Sequence, residues 1–94
     1  MQIAALTLEL RLPGCSSLKE KRGRLKPLLT DLHREFNVSA AEIDHLDAHR
    51  SALIACVVVS NSGAHGQQLL ARIPGWIERR RPDLQVVDHV IQPC

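Results

Sequence analysis

Residues 52–59 constrain the fold of this 94-residue chain more than any other segment, because all eight are apolar. A strand that is apolar on both faces belongs inside a sheet and not at its edge. One layer of helices covers only one of the two faces, so an apolar face is left over. We therefore expect a central strand at 51–60. We also expect a homo-oligomer, in which a second copy of the chain buries the uncovered face.

Three further segments have the character of strands. Apolar residues alternate with polar ones over 2–12, which predicts a first strand with one buried face. A weaker pattern predicts a strand over 38–44, and a turn near 45–49 would join it to the central strand. A last strand is predicted over 84–91. The chain thus supplies four strands to one sheet.

Two helices are predicted between these strands. Ser17 caps the first, whose leucines recur at helical spacing to about residue 36, and Pro27 should kink the helix without ending it. Asn61 or Ser62 caps the second, which Pro74-Gly75 must distort. With right-handed crossovers, the order β-α-β-β-α-β predicts an α+β, ferredoxin-like fold with two helices on one face of a four-stranded antiparallel sheet.

The composition describes an ordinary globular protein of a single domain, residues 1–94. Apolar residues make up 45% and charged residues 23% of the chain. No apolar run approaches the roughly 20 residues of a membrane span, and the N-terminus lacks a signal-peptide pattern. Three cysteines without a C-x-x-C pair argue against a disulfide framework and a structural zinc site. We expect a cytoplasmic protein with no membrane association and no cofactor.

The start of the first helix is the main candidate binding site. Five basic side chains fall within eight residues there, behind a Ser17-x-x-Glu20 capping box. A helix N-terminus favours anions through its free backbone donors and its dipole. The candidate nucleic-acid or anion-binding residues are Ser17, Lys19, Lys21, Arg22, Arg24 and Lys26. The alternative to a binding site is a solvated helix face. Lys21 and Arg22 would bury their aliphatic stems on it and keep their charges in water.

The charge of the chain is unevenly distributed. The net charge is +2, but residues 11–34 carry +5, and residues 35–47 have four acidic side chains without a lysine or arginine. A secondary basic patch is expected at Arg79, Arg80 and Arg81. Basic regions of this kind suit an anionic partner better than the total charge suggests.

The two aromatic side chains limit how a nucleic acid is recognised. Phe36 and Trp76 both fall on predicted buried faces, so no aromatic ring is left on the sheet for bases to stack on. RNA binding would therefore use phosphates and shape. It would depend strongly on salt and only weakly on sequence.

A metal site is a weaker possibility at the turn between the middle strands. His45, Asp47 and His49 are potential ligands, and His65 or His89 would complete the set. In the expected strand order, however, the last strand lies at the opposite edge from 38–44. We predict a polar hairpin tip with exposed histidines and no metal.

Enzymatic signals are sparse. The chain has no glycine-rich phosphate loop, no G-x-S-x-G and no H-E-x-x-H. Asp44 or Asp47 could orient His45 as a base, but the candidate nucleophiles, Ser60 and Cys15, have no assignable partner. We do not expect an enzyme and assign no catalytic residue.

Five short segments follow one another in an order and at a spacing that resemble a known family. They are Leu12-Pro13-Gly14, Ser17-Leu18-Lys19-Glu20-Lys21-Arg22, Phe36-Asn37-Val38-Ser39, Ala41-Glu42-Ile43-Asp44-His45 with Asp47, and Val58-Val59-Ser60-Asn61. The chain is similar in these segments to the YlxP-like family of small bacterial proteins, classed as domain of unknown function 503. The resemblance implies the ferredoxin-like fold and no catalytic residues. The chain departs from it where His49 replaces a usual tryptophan and where Pro74-Gly75 interrupts a helix.

The resemblance also implies a cellular process, translation or ribosome maturation. Genes of this family commonly lie beside genes for translation initiation and ribosome maturation. We therefore expect a small non-enzymatic protein that associates with RNA or the ribosomal subunit through its basic helix. The alternative is a homo-oligomeric protein-interaction or small-ligand-binding module with no nucleic acid. In that case the acidic residues 42–47 and the oligomer interface would matter, and binding would hardly change with salt.

Overall fold

A computed structural model of the chain describes residues 1–94 and shows one antiparallel sheet with helices on one face. Its elements are β1 (Gln2–Arg11), α1 (Leu18–Phe36), β2 (Ser39–Asp44), β3 (Ser51–Ser60), α2 (Gly63–Ala71), α3 (Ile73–Arg80) and β4 (Gln85–Pro93). The strand order is β2-β3-β1-β4. This is the predicted ferredoxin-like arrangement, with β3 in the interior of the sheet and β2 and β4 at opposite edges.

The core lies between the sheet and the helices, and the alternation of β1 determines which side chains enter it. Leu6, Leu8 and Leu10 are fully buried, while the residues between them are half-exposed. In the register of the sheet, Leu6 pairs with Cys56 and Leu8 with Ile54. The helices add buried side chains at spacings of three and four residues, namely Leu25, Leu28, Leu32, Leu70, Ile73 and Ile77.

The two prolines in helical segments have different effects. Helix α1 runs without interruption across Pro27, as predicted, and ends at Asn37, whose left-handed backbone (φ 53°) lets its N–H donate to the carbonyl of His33. The second helical segment is divided at Arg72 into α2 and α3. Pro74 lies in the first turn of α3, where its missing N–H costs no helical hydrogen bond. The distortion predicted at Pro74-Gly75 is therefore a division into two helices.

The second face of the sheet has no helix on it. In the register, Ala5 pairs with Val57 and Thr7 with Ala55 on this face. It also leaves Val59 62% exposed. The apolar face that residues 52–59 predicted is thus open in the single chain. None of the helices combines the length and the apolar character needed to cross a membrane.

Candidate functional site

Helix α1 begins with its own acidic cap. The Ser17 hydroxyl accepts a hydrogen bond from the Glu20 N–H (3.1 Å), and the Glu20 carboxylate accepts one from the Ser16 N–H (2.6 Å). This backbone hydrogen bond, helped by Cys15 and by the charge of Arg24, holds the pKa of Glu20 below its usual 4.5 despite partial desolvation. Because Ser17 and Glu20 satisfy these donors, the carboxylate already lies where an external anion would bind.

Lys21 points into the protein and not into solvent. The residue is 1% exposed, and its ammonium lies 2.6 Å from a carboxylate oxygen of Glu42. It also donates to the carbonyl oxygens of His45 (2.7 Å) and Ala48 (2.6 Å). Two of its three N–H donors are thus bound to carbonyl oxygens, and the ion pair with Glu42 balances its charge. The prediction that Lys21 keeps its charge in water for a phosphate is wrong, because the interior of the protein pairs that charge.

Arg24 is also engaged within the chain. Its guanidinium donates to the carbonyl of Pro13 (3.1 Å) and to the carboxylate of Glu20 (3.2 Å). The carboxylate of Asp83 lies 3.9 Å away on another side. Arg24 is half-buried and ties α1 to the turn that follows β1, so it contributes little free positive charge to the candidate site.

The remaining three basic residues form a row, which we call the cationic row. Lys19, Arg22 and Lys26 are exposed and have no ion-pair partner within the chain. Their spacing of three and four residues places them next to one another along one flank of α1. Arg22 and Lys26 also border the groove between α1 and the edge strand β2, whose other lining residues are Leu25, Leu29 and Glu42.

The secondary patch is divided in the same way. Arg79 and Arg80 are exposed, and the guanidinium of Arg80 lies 5.4 Å from the ring centroid of Trp76. Arg81 is instead half-buried and forms an ion pair with Asp31 of α1. The patch therefore offers two outward charges and not three, and Arg81 fastens the end of α3 to α1.

The hairpin tip between β2 and β3 carries the candidate metal ligands. His45, Asp47 and His49 are exposed, and His45 has a left-handed backbone (φ 61°) with its N–H bound to the Asp44 carboxylate (2.8 Å). No group of three or more His, Cys, Asp or Glu side chains converges on a metal-sized space. His89 lies on β4, at the opposite edge from β2, and His65 lies in the first turn of α2.

Both candidate nucleophiles form local hydrogen bonds, and the Cys15 thiol also lies beside the Glu20 carboxylate. Cys15 is buried, and its thiol lies 3.4 Å from the carbonyl of Ser17. The hydroxyl of Ser60 donates to the carbonyl of Ser62. Burial raises the pKa of the Cys56 thiol to about 12.

Sequence reasoning missed Glu42 as the partner of Lys21. A signal was present, because Ala40 and Glu42 of β2 alternate in phase with Val38, which precedes the strand, and Val38 and Ala40 lie on the buried side. The carboxylate of Glu42 on the edge strand therefore points inward. It faces Lys21, which lies on the buried stripe of α1.

Comparisons with known proteins agree with this fold and with the five segments. The family described as "Protein of unknown function (DUF503)" matches residues 3–91. The chain is also 37% identical over 62 residues to the uncharacterized protein YlxP of Bacillus subtilis (strain 168), across 66% of this chain and 67% of that protein. The match confirms the resemblance predicted from the sequence.

Proposed function

We propose that this chain, which belongs to the DUF503 family, associates with RNA in translation or ribosomal-subunit maturation through the cationic row. One observation carries the proposal. Lys19, Arg22 and Lys26 are exposed cations without an internal partner, whereas Lys21 and Arg24, from the same run, have theirs. The fold thus separates the charges that stabilise it from those left for an anionic partner.

The dimensions of the row suit a phosphate backbone. Lys19 and Lys26 are seven residues apart, which is about 10 Å along a helix. Duplex nucleic acid carries several phosphates over that length. Asp31 borders the depression beside Arg22 and Lys26, and its charge is offset by Arg81. An approaching anion therefore meets a local excess of positive charge.

Recognition through bases has no support in this surface. Phe36 is buried and meets Trp76 edge to face, with 5.3 Å between the ring centroids, and Arg80 lies against the other ring. The open face of the sheet carries no aromatic residue. The proposed contact is therefore with phosphates, and the family's gene neighbourhood favours ribosomal RNA in the cytoplasm.

The experiment is co-sedimentation of the untagged protein with small ribosomal subunits at about 50 and about 200 mM salt. Phosphate-backbone binding should weaken steeply over this range. Arg22→Glu combined with Lys26→Glu should abolish co-sedimentation while leaving the circular dichroism spectrum unchanged. The matched control is Arg34→Glu, an exposed position on the same helix about three turns further along. Equal binding by the double variant and the native chain would refute the assignment of the row.

A second candidate function is that of a homo-oligomeric interaction module, and the open sheet face favours it. Val59 and Val90 are 62% and 48% exposed, beside the small side chains of Ala5 and Ala55. Flat apolar sheet faces pack at about 10 Å from one another. Sedimentation velocity should show an oligomer that Val57→Lys dissociates. A monomer at all concentrations would remove this candidate, and salt-independent partner binding would favour it over RNA.

A further inference from the structure

The largest cavity lies away from the cationic row, where β1 leaves the sheet and β3 enters it. It is an open cleft of about 640 Å³ between the turn 12–14 and the loop 47–51. Sites for small molecules have volumes of about 300–1,000 Å³. Five of its nine lining residues are polar or charged, namely Arg11, Asp47, His49, Arg50 and Ser51. Its shape and polarity therefore point to a charged ligand.

The two walls of the cleft are held together by hydrogen bonds from within the protein. The Leu12 N–H donates to the carbonyl of Arg50 (2.9 Å), and the Nε of Arg50 donates to the carbonyl of Cys15 (3.2 Å). Behind the loop, the buried ammonium of Lys21 donates to the carbonyl of Ala48 (2.6 Å). Because these bonds fix both walls, a ligand that enters the cleft does not have to order them.

The charges in the cleft are mainly positive and unpaired. Arg11 and Arg50 are exposed, and no carboxylate lies within ion-pairing distance of either guanidinium. The neighbours of Arg11 across the sheet, Ser51 and Gln85, are neutral. Asp47 is the one acidic residue of the lining. Two guanidinium groups with a single carboxylate leave a net attraction for an anion.

We propose that this cleft binds a phosphate group, which Arg11 and Arg50 hold. The planar fork of a guanidinium places two N–H donors at the spacing of two phosphate oxygens, and two forks can serve one tetrahedral group. The phosphate belongs either to a small phosphorylated molecule or to an RNA backbone. The proposal does not depend on the cationic row, because neither arginine lies on α1.

The test is a titration of the ¹⁵N-labelled protein with inorganic phosphate and with adenosine monophosphate, at constant ionic strength, followed by amide NMR shifts. Saturable shifts are expected for the amides of Leu12, Gly14 and residues 47–51. Arg11→Gln should weaken binding by about tenfold or more, since it removes a charged hydrogen-bond donor. Arg79→Gln, which removes an exposed arginine from α3, should leave the affinity unchanged. Shifts that do not saturate, or equal affinity for Arg11→Gln, would overturn the proposal.

A second arm with a short RNA duplex identifies the source of the phosphate. If Arg11→Gln weakens RNA and phosphate binding together, the cleft holds a backbone phosphate. If it weakens phosphate binding alone, the ligand is a small phosphorylated molecule. If the proposal for the cationic row is wrong, Arg22→Glu will leave RNA binding unchanged. The titration with phosphate would still show saturable binding in the cleft. The two proposals can therefore fail separately.

Discussion

The ammonium of Lys21 lies 2.6 Å from the carboxylate of Glu42, and this contact joins helix α1 to the edge strand β2. That carboxylate oxygen is buried and accepts no hydrogen bond, so its contact with the ammonium is an ion pair. The same ammonium binds the carbonyls of His45 and Ala48, so one side chain fixes the helix, the strand and the loop that follows it. A buried charge is costly unless it is paired and hydrogen-bonded, and here one carboxylate and two carbonyls surround the ammonium.

Replacing Lys21 with Met should destabilise the fold strongly. The change leaves the Glu42 carboxylate and two carbonyls without a partner, at a cost of about 3 kcal/mol in the free energy of unfolding, the lower end for buried pairs because solvent partly reaches Glu42. Urea denaturation measures this cost. Lys26→Met, at an exposed position on the same helix, should cost less than about 0.5 kcal/mol. If the double variant Lys21→Met/Glu42→Met loses the full sum of the single losses, the pair is not coupled.

Glu20 should make the stability depend on pH in the acid range. Its pKa in the folded protein lies below the usual 4.5, so the carboxylate form stabilises the fold. The contribution is complete above about pH 4.5 and is lost as the pH falls through the lowered pKa. Glu20→Gln should therefore lose less stability than the native chain between pH 6 and pH 3, as measured by urea midpoints. Parallel curves for the two proteins would contradict this role.

The thiols should differ sharply in reactivity. Cys94 is exposed, whereas Cys15 and Cys56 are buried, and Cys56 has its pKa raised to about 12. Because the thiolate is the reactive form, a disulfide reagent at pH 8 should titrate one thiol in the native protein and three in denaturant. Cys94→Ser should remove the fast reaction completely. Any fast-reacting thiol that remains in that variant would mean that the core opens readily.

Trp76 should report the contact between α1 and α3. Its ring meets the buried ring of Phe36 edge to face, and Phe36→Leu removes that contact at a cost of about 1–2 kcal/mol. The tryptophan emission of the variant should shift to longer wavelength as the indole becomes more hydrated. Leu46→Ala, at a position that is 60% exposed, should change neither the emission nor the stability. An unshifted emission for Phe36→Leu would show that α3 is held by other contacts.

The salt dependence of RNA binding should count the phosphate contacts. Three cations in the row predict a slope of about −2 to −3 for the logarithm of the binding constant against the logarithm of the salt concentration. Lys26→Gln should reduce the magnitude of that slope by about one. Fluorescence anisotropy with a labelled RNA duplex measures both. A slope near −5 would mean that Arg79, Arg80 or the cleft arginines also contact the phosphates.

The elements of this fold follow from local patterns, which is why they could be predicted. Alternation over β1 and the two-sided apolar run of β3 reflect the burial of successive side chains on a sheet. Ser17 caps α1 as predicted, and Ser62, one of the two candidates predicted for the second helix, caps α2. These signals depend on neighbours within a few residues, so the chain carries them without knowledge of the tertiary structure.

The candidate site was predicted less well, because charges find partners that are distant in the sequence. Lys21 meets Glu42, and Arg81 meets Asp31 across 50 residues. No spacing rule reports such pairs. The position of Lys21 on the buried stripe of α1 predicts a side chain that buries its stem and extends its charge into water. That is the usual outcome when no inward carboxylate is available. Helical spacing places Lys19, Arg22 and Lys26 along one face, but it does not show that Lys21 and Arg24 have partners within the chain.

The helical layer and the open sheet face lie on opposite sides of the molecule. This arrangement determines how many RNA-binding surfaces an oligomer would present. If two copies pack through their open faces, their α1 helices point away from each other, and each assembly presents two cationic rows on opposite sides. Two weak contacts on one large RNA then act at the effective concentration set by the rigid spacing between them. Such an assembly would bind tightly only where two stretches of RNA backbone are separated by the distance between its two cationic rows. The spacing of the phosphates, and not the base sequence, would then determine selectivity.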